Sequence, residues 1–157
     1  MNILVSYDSQ FGNTQQVADA IGKALNKNHS VQVKPVSQTS VADLQEIDFL
    51  FLGSPTQGGQ AKPTTKSLIS QIVAESIPLK YACFDTRFSP DNVGLGLKLL
   101  MSIIGYASPK MAKALTKNPV GRVIGEEGFI VLGKEGPLAE GELSRCQTWA
   151  KKLVSVI

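Results

Sequence analysis

Apolar and polar positions along this chain follow two alternating rhythms. Residues 2–7 (NILVSY) form a short apolar run that suits a buried strand. Beyond a polar stretch, Val17, Ala20, Ile21, Ala24 and Leu25 recur at the spacing of one helix face, and Thr14 is placed to cap that helix. Val31, Val33 and Val36 alternate with polar residues over 30–36, as a strand nearer an edge does. A short helical turn around Val41 to Gln45 leads into IDFLFLG at 47–53, an uninterrupted apolar strand. Pro63 opens the next helix, where proline is well tolerated, and Leu68, Ile69, Ile72 and Val73 form its inner face. LKYACFD at 79–85 and EGFIVLG at 127–133 read as the fourth and fifth strands. Between them lie about 40 residues, more than one crossover helix requires, so two helices near 94–104 and 108–117 are expected. Leu143, Cys146, Ala150 and Leu153 stripe a final helix.

Strands alternate with helices throughout, and the central strands are apolar runs rather than in/out alternations. That combination predicts a parallel sheet covered on both faces, the doubly wound α/β architecture, in a single domain over 1–157. Hydrophobic content of 43% and charged content of 18% agree with an ordinary globular protein. Cys83 and Cys146 lie in apolar or helical patterns rather than in a paired spacing, which points to a reducing interior and away from a disulfide framework or a metal site. MNILVSYD has no basic leader, so the expected location is cytoplasmic. A net charge of +3, with lysines scattered and no aromatics interleaved, speaks against nucleic-acid binding.

In open α/β sheets, ligands bind beyond the carboxyl ends of the strands, where the strand order reverses. The loops after strands one, three and four are therefore the places to look. The first, SQFGNT, offers backbone N–H groups at a helix start, hydroxyls on Ser9 and Thr14, an amide on Asn13, and close approach at Gly12. It contains no lysine, and both GxxxxGK[ST] and GxGxxG are absent, so a single phosphate is favoured over a triphosphate or a dinucleotide. The second, GSPTQGG, exposes backbone groups able to hydrogen-bond the edge of a flat heterocycle. The third, FDTRF, supplies Asp85, Thr86 and Arg87 with flanking rings from Phe84 and Phe88.

With S-x-x-G-N-T between a strand and a helix, G-S-P-T after strand three, and GKEGPLAEGEL before the last helix, the chain resembles the flavodoxin family over essentially its whole length. The resemblance implies a flavodoxin-like three-layer sandwich around a five-stranded parallel sheet in order 2-1-3-4-5. It also implies bound flavin mononucleotide (FMN) and an electron-transfer role, with a redox partner protein or a small electron acceptor. Carried over by position, Ser9, Gln10, Phe11, Gly12, Asn13 and Thr14 would hold the phosphate. Pro55, Thr56, Gln57, Gly58 and Gly59 would flank the isoalloxazine ring together with Asp85, Thr86, Arg87 and Phe88. A carboxylate at Asp85 beside the ring would disfavour an anionic reduced flavin by charge repulsion. Phe11 stands where the family usually has threonine, and the second loop lacks an aromatic. An open ring face suits an alternative, an FMN-dependent NAD(P)H/quinone-type reductase; a cofactor-free interaction protein of the same fold is another.

A phospho-receiver reading fails because Gly53 and Ser54 stand where an acceptor aspartate belongs, and a phosphatase reading fails for want of a cysteine in the first loop. His29 reads as a solvated turn residue. The apolar stretch 93–107, broken by Lys98, is too short to span a bilayer, which speaks against a membrane partner. It is expected to cover the sheet edge or to pack beside the ring site, with a docking surface for a partner subunit, a homodimer or a membrane face as the functional alternative.

Overall fold

Residues 1–157 are described by a computed structural model, the Asn92 side chain excepted. Five strands, β1 (Asn2–Tyr7), β2 (Ser30–Pro35), β3 (Phe49–Pro55), β4 (Lys80–Phe88) and β5 (Arg122–Val131), pair in parallel in the order β2-β1-β3-β4-β5. Six helices connect and cover them: α1 (Asn13–Leu25), α2 (Val41–Leu44), α3 (Pro63–Ala74), α4 (Leu95–Ile104), α5 (Ala107–Leu115) and α6 (Glu142–Ser155).

The period-two alternation of β3 feeds two cores at once. Phe49 and Phe51 join Ile3, Val5, Ala82 and Phe84 under α1 and α6, while Leu50 and Leu52 join Leu4, Tyr81 and Cys83 under α3 and α5. Each fully buried Val, Leu, Ile or Phe among them contributes about 1.5–3 kcal/mol over its exposed state. Trp149 packs edge-on against Phe51 and Phe129, locking α6 to the sheet.

Two expectations shift. β5 begins at Arg122 rather than near 127, because Glu126 and Glu127 interrupt the apolar run without interrupting the strand. An edge strand tolerates them: Glu126 accepts a hydrogen bond from Ser108, and Glu127 pairs with Arg145 at 3.2 Å. α4 does not cover the sheet edge. None of its residues is buried, and α5 instead packs on β4 and β5. α4 lies beside the second loop, where Ile104 crowds Gly59.

Gly53 sits where β3 passes Phe84. A Cβ added there would lie 2.2 Å from the ring of a fully buried phenylalanine. Gly53→Ala should therefore cost about 1–3 kcal/mol, read as a lower urea midpoint at unchanged m-value. An unchanged midpoint would mean that the Phe84 ring is free to move.

Candidate functional site

Parallel registration brings the strand ends to one edge of the sheet, β3 and then β4 each reaching two residues beyond its neighbour. Tyr7 stands opposite Gly53, Pro55 opposite Thr86, and Thr86 opposite Phe129. The loops that leave β1, β3, β4 and β5 consequently converge on one cleft of about 340 Å³.

In the first loop, Gly12 takes a left-handed conformation with φ of 85°, and its N–H donates to Ser9 Oγ at 3.1 Å. This turn starts α1 at Asn13, so Thr14 becomes the second helical residue and does not cap. It points inward and shares a hydrogen bond of 2.8 Å with Thr86. No side chain caps α1, whose first-turn N–H groups face the loop. Asp8, the acid nearest this loop, is turned away and accepts hydroxyl hydrogen bonds from Thr64 and Thr65 at the start of α3. Among the described residues, no Asp or Glu lines the cleft.

The second loop is a closed unit. Gln57 and Gln60 exchange backbone hydrogen bonds of 2.9 and 3.0 Å around Gly58 and Gly59, whose φ angles of 54° and 73° favour glycine at both positions. Ser54 Oγ accepts from the Lys62 N–H, fixing the return of the loop. Gln57 donates its amide to Gln10, so the first and second loops are joined across the cleft. Thr56 Oγ1 accepts from the Ala107 N–H at the start of α5.

The end of β4 departs from expectation at Asp85. Its carboxylate is fully buried, takes two hydrogen bonds of 2.6 and 2.7 Å from Arg87, and accepts a third from the Ser108 N–H. It does not line the cleft. A carboxylate so deep is held only by paired charge, and Arg87 supplies it from within the same strand. Arg87 also stacks over Tyr106, 4.0 Å from the ring centroid, and donates to Ser108. Thr86, Arg87 and Phe88 line the cleft, whereas Phe84 points into the core.

Of the remaining sequence candidates, Ser9, Gln10, Phe11, Asn13, Thr14, Pro55, Thr56, Gln57 and Gly58 share that lining. Gly12 shapes the first loop from beside it, and Gly59 faces a neighbouring hollow under α4. Phe11 and Phe88 are 39% and 42% exposed, so two aromatic faces remain available to a ligand.

Sequence reasoning missed Val131 and Lys134, which line the cleft from the loop after β5. Asn13 donates to the Glu135 carbonyl at 3.0 Å, and a Cβ on Gly136 would meet the Asn13 side chain at 2.4 Å, so this loop is seated directly on the start of α1. Lys134 thus supplies the cation that the first loop lacks. The glycine-spaced run GKEGPLAEG, leaving a strand at the same sheet edge, was the available signal.

Neither thiol offers a nucleophile. Both cysteines are fully buried, and desolvation pushes Cys83 strongly up and Cys146 up to about 12. His29 lies just before β2, remote from the cleft lining.

The Flavodoxin domain family model matches residues 4–86, from β1 through the Thr86 end of the cleft. The chain belongs to the flavodoxin family. Among solved structures, flavodoxin 2 from Bacillus cereus is 21% identical, with full coverage of both chains and a TM-score of 0.74. The flavodoxin of Streptococcus pneumonia TIGR4 is 14% identical, also with full coverage of both, at a TM-score of 0.75. A WrbA-like protein from Agrobacterium tumefaciens is 16% identical over 99% of this chain and 96% of that one, at 0.68. These likenesses are of fold. A search of curated proteins returned no match.

Two cations at the cleft should behave oppositely. Arg87→Met strands the buried Asp85 carboxylate and should destabilise the fold by about 3–5 kcal/mol. Lys134→Met, at an exposed position, should change stability by no more than about 0.5 kcal/mol. Chemical denaturation of both variants checks this, and equal effects would contradict the division of roles.

Proposed function

We propose that this flavodoxin-family protein binds FMN noncovalently in the cleft and transfers electrons. The observation that carries the reading is the uncapped start of a 13-residue helix facing an acid-free cleft beside Lys134. Such a helix end favours an anion through its free N–H groups and its dipole. The cleft's chemistry suits the group: hydroxyls and amides at one end for a phosphate, aromatic and backbone surface at the other for a flat ring.

In this reading Ser9, Asn13, Thr14 and Lys134 hold the phosphate. Phe11 and Phe88 offer faces to the isoalloxazine, and the Thr56–Gly59 turn presents backbone groups to its edge. FMN, when bound, supplies the redox chemistry, and the protein fixes its orientation. The Asp85–Arg87 pair keeps a buried carboxylate neutralised beneath the cleft, so Asp85 adds little of the repulsion expected of a bare charge. The Gln10–Gln57 bridge fixes the spacing between the phosphate loop and the ring loop.

A second reading is favoured by a single observation. An apolar hollow of about 310 Å³ adjoins the cleft through Thr56, Gly58 and Phe88. A small acceptor reaching the ring from that side would make the protein an FMN-dependent NAD(P)H/quinone-type reductase. Multiple turnover of NAD(P)H with a quinone by the FMN-loaded protein favours this reading, and its absence favours a carrier.

Titration of the purified protein into FMN should quench flavin fluorescence at one-to-one stoichiometry. Lys134→Met should weaken binding roughly tenfold or more, the worth of a hydrogen bond to a charged group. A protein that takes up no FMN would contradict the proposal and leave a cofactor-free interaction role.

A further inference from the structure

α4 is the one long helix that buries nothing. Leu95, Leu99 and Ile103 are 85%, 64% and 75% exposed, and Leu97, Leu100 and Ile104 are exposed as well. At about 100° per residue these six positions, with Met101, sweep roughly two thirds of the helix circumference, leaving Lys98 and Ser102 on the remaining arc. A contiguous exposed apolar surface of this kind marks an interaction site.

Charge decides what covers it. Residues 56–121, which hold α3, α4 and α5, carry eight of the 16 Lys and Arg but only three of the 13 Asp and Glu. The rest of the chain is acidic on balance. Two of those three acids are already paired, Asp85 with Arg87 and Asp91 with Lys98. Lys66, Lys113 and Lys117 stay exposed on α3, on α5 and just beyond α5, and the half-buried Lys110 ties the end of α4 to α5 through the Ile104 carbonyl. Lys66 and Lys110 line one groove between α3 and α5, next to the end of α4, whereas Lys117 precedes Asn118, which hydrogen-bonds Ile77 and Tyr81 at the far end of the strands.

We infer that this side docks on an anionic lipid surface, with α4 lying in the headgroup layer and the α3 and α5 lysines against the lipid charges. A second copy would bring two basic faces together and cover only one side of α4. A lipid interface surrounds the helix and supplies the opposite charge. Being too short to span a bilayer is no obstacle, because a helix in the interface plane does not cross it. The redox cleft then opens at the lipid surface, since Gly58 and Phe88 lie between it and α4.

The test is flotation of the full chain with vesicles of phosphatidylcholine alone or mixed with phosphatidylglycerol. Wild type should float with the mixed vesicles, and high salt should weaken this. The triple variant Leu95→Ser/Leu99→Ser/Ile103→Ser should lose at least roughly tenfold in partitioning with no loss of melting temperature, because no core packing is removed. Lys66→Glu/Lys113→Glu should lose roughly tenfold or more on mixed vesicles only. Wild type that stays unbound at both compositions, or a triple variant that floats like wild type, would overturn the inference. So would a lipid-free dimer, seen by light scattering, that the triple variant abolishes.

Discussion

Every feature of the cleft depends on the parallel registration of β1, β3, β4 and β5. Because these strands run the same way in fixed register, four chain segments far apart in sequence leave the sheet at one edge. The registration is set by side chains that alternate between two buried faces. A slip of one residue along β3 would exchange Phe49 and Phe51 with Leu50 and Leu52, placing rings in a layer built for leucines. Gly53 keeps the top of β3 clear for Phe84, and the loop that carries Pro55 to Gly58 starts immediately above it.

On this scaffold the electrostatics are divided between layers. Beneath the cleft, Arg87 and Asp85 compensate each other, and Ser108 extends the network to Glu126. At the cleft surface the acids are turned away, Asp8 toward α3 and Asp85 inward, while the start of α1 and Lys134 remain free to act on a ligand. In the proposed reading a phosphate is held by the uncapped helix start and one exposed cation.

The layer architecture was legible because burial on both faces of a parallel sheet leaves continuous apolar runs, as in FLFL and YACF. The three loops were legible because strand ends in such a sheet are predictable sites. Three things escaped the pattern. Thr14 looked like a cap because hydroxyls commonly are, yet the left-handed Gly12 moved the helix start and turned Thr14 to Thr86. Asp85 looked like a site residue because nothing local in FDTRF shows that its carboxylate turns back onto Arg87. Lys134 was passed over because the GKEGPLAEG run does not show where it goes: its approach depends on Asn13 and Gly136, which are 123 positions apart and meet only in the fold. α4 was half legible: its apolar residues imitate a core stripe, and of its two expected placements it takes the one beside the second loop rather than the sheet edge.

The central claim is that the first loop and Lys134 recognise a phosphate and that the rest of the cleft takes a flavin ring. Comparing the dissociation constants of FMN and riboflavin, measured by flavin fluorescence on the same preparation, tests both halves together. FMN should bind at least roughly tenfold more tightly than riboflavin, as charge-assisted hydrogen bonds to a phosphate require, and the gap should narrow in Lys134→Met. Equal affinities, with no effect of Lys134, would contradict the account.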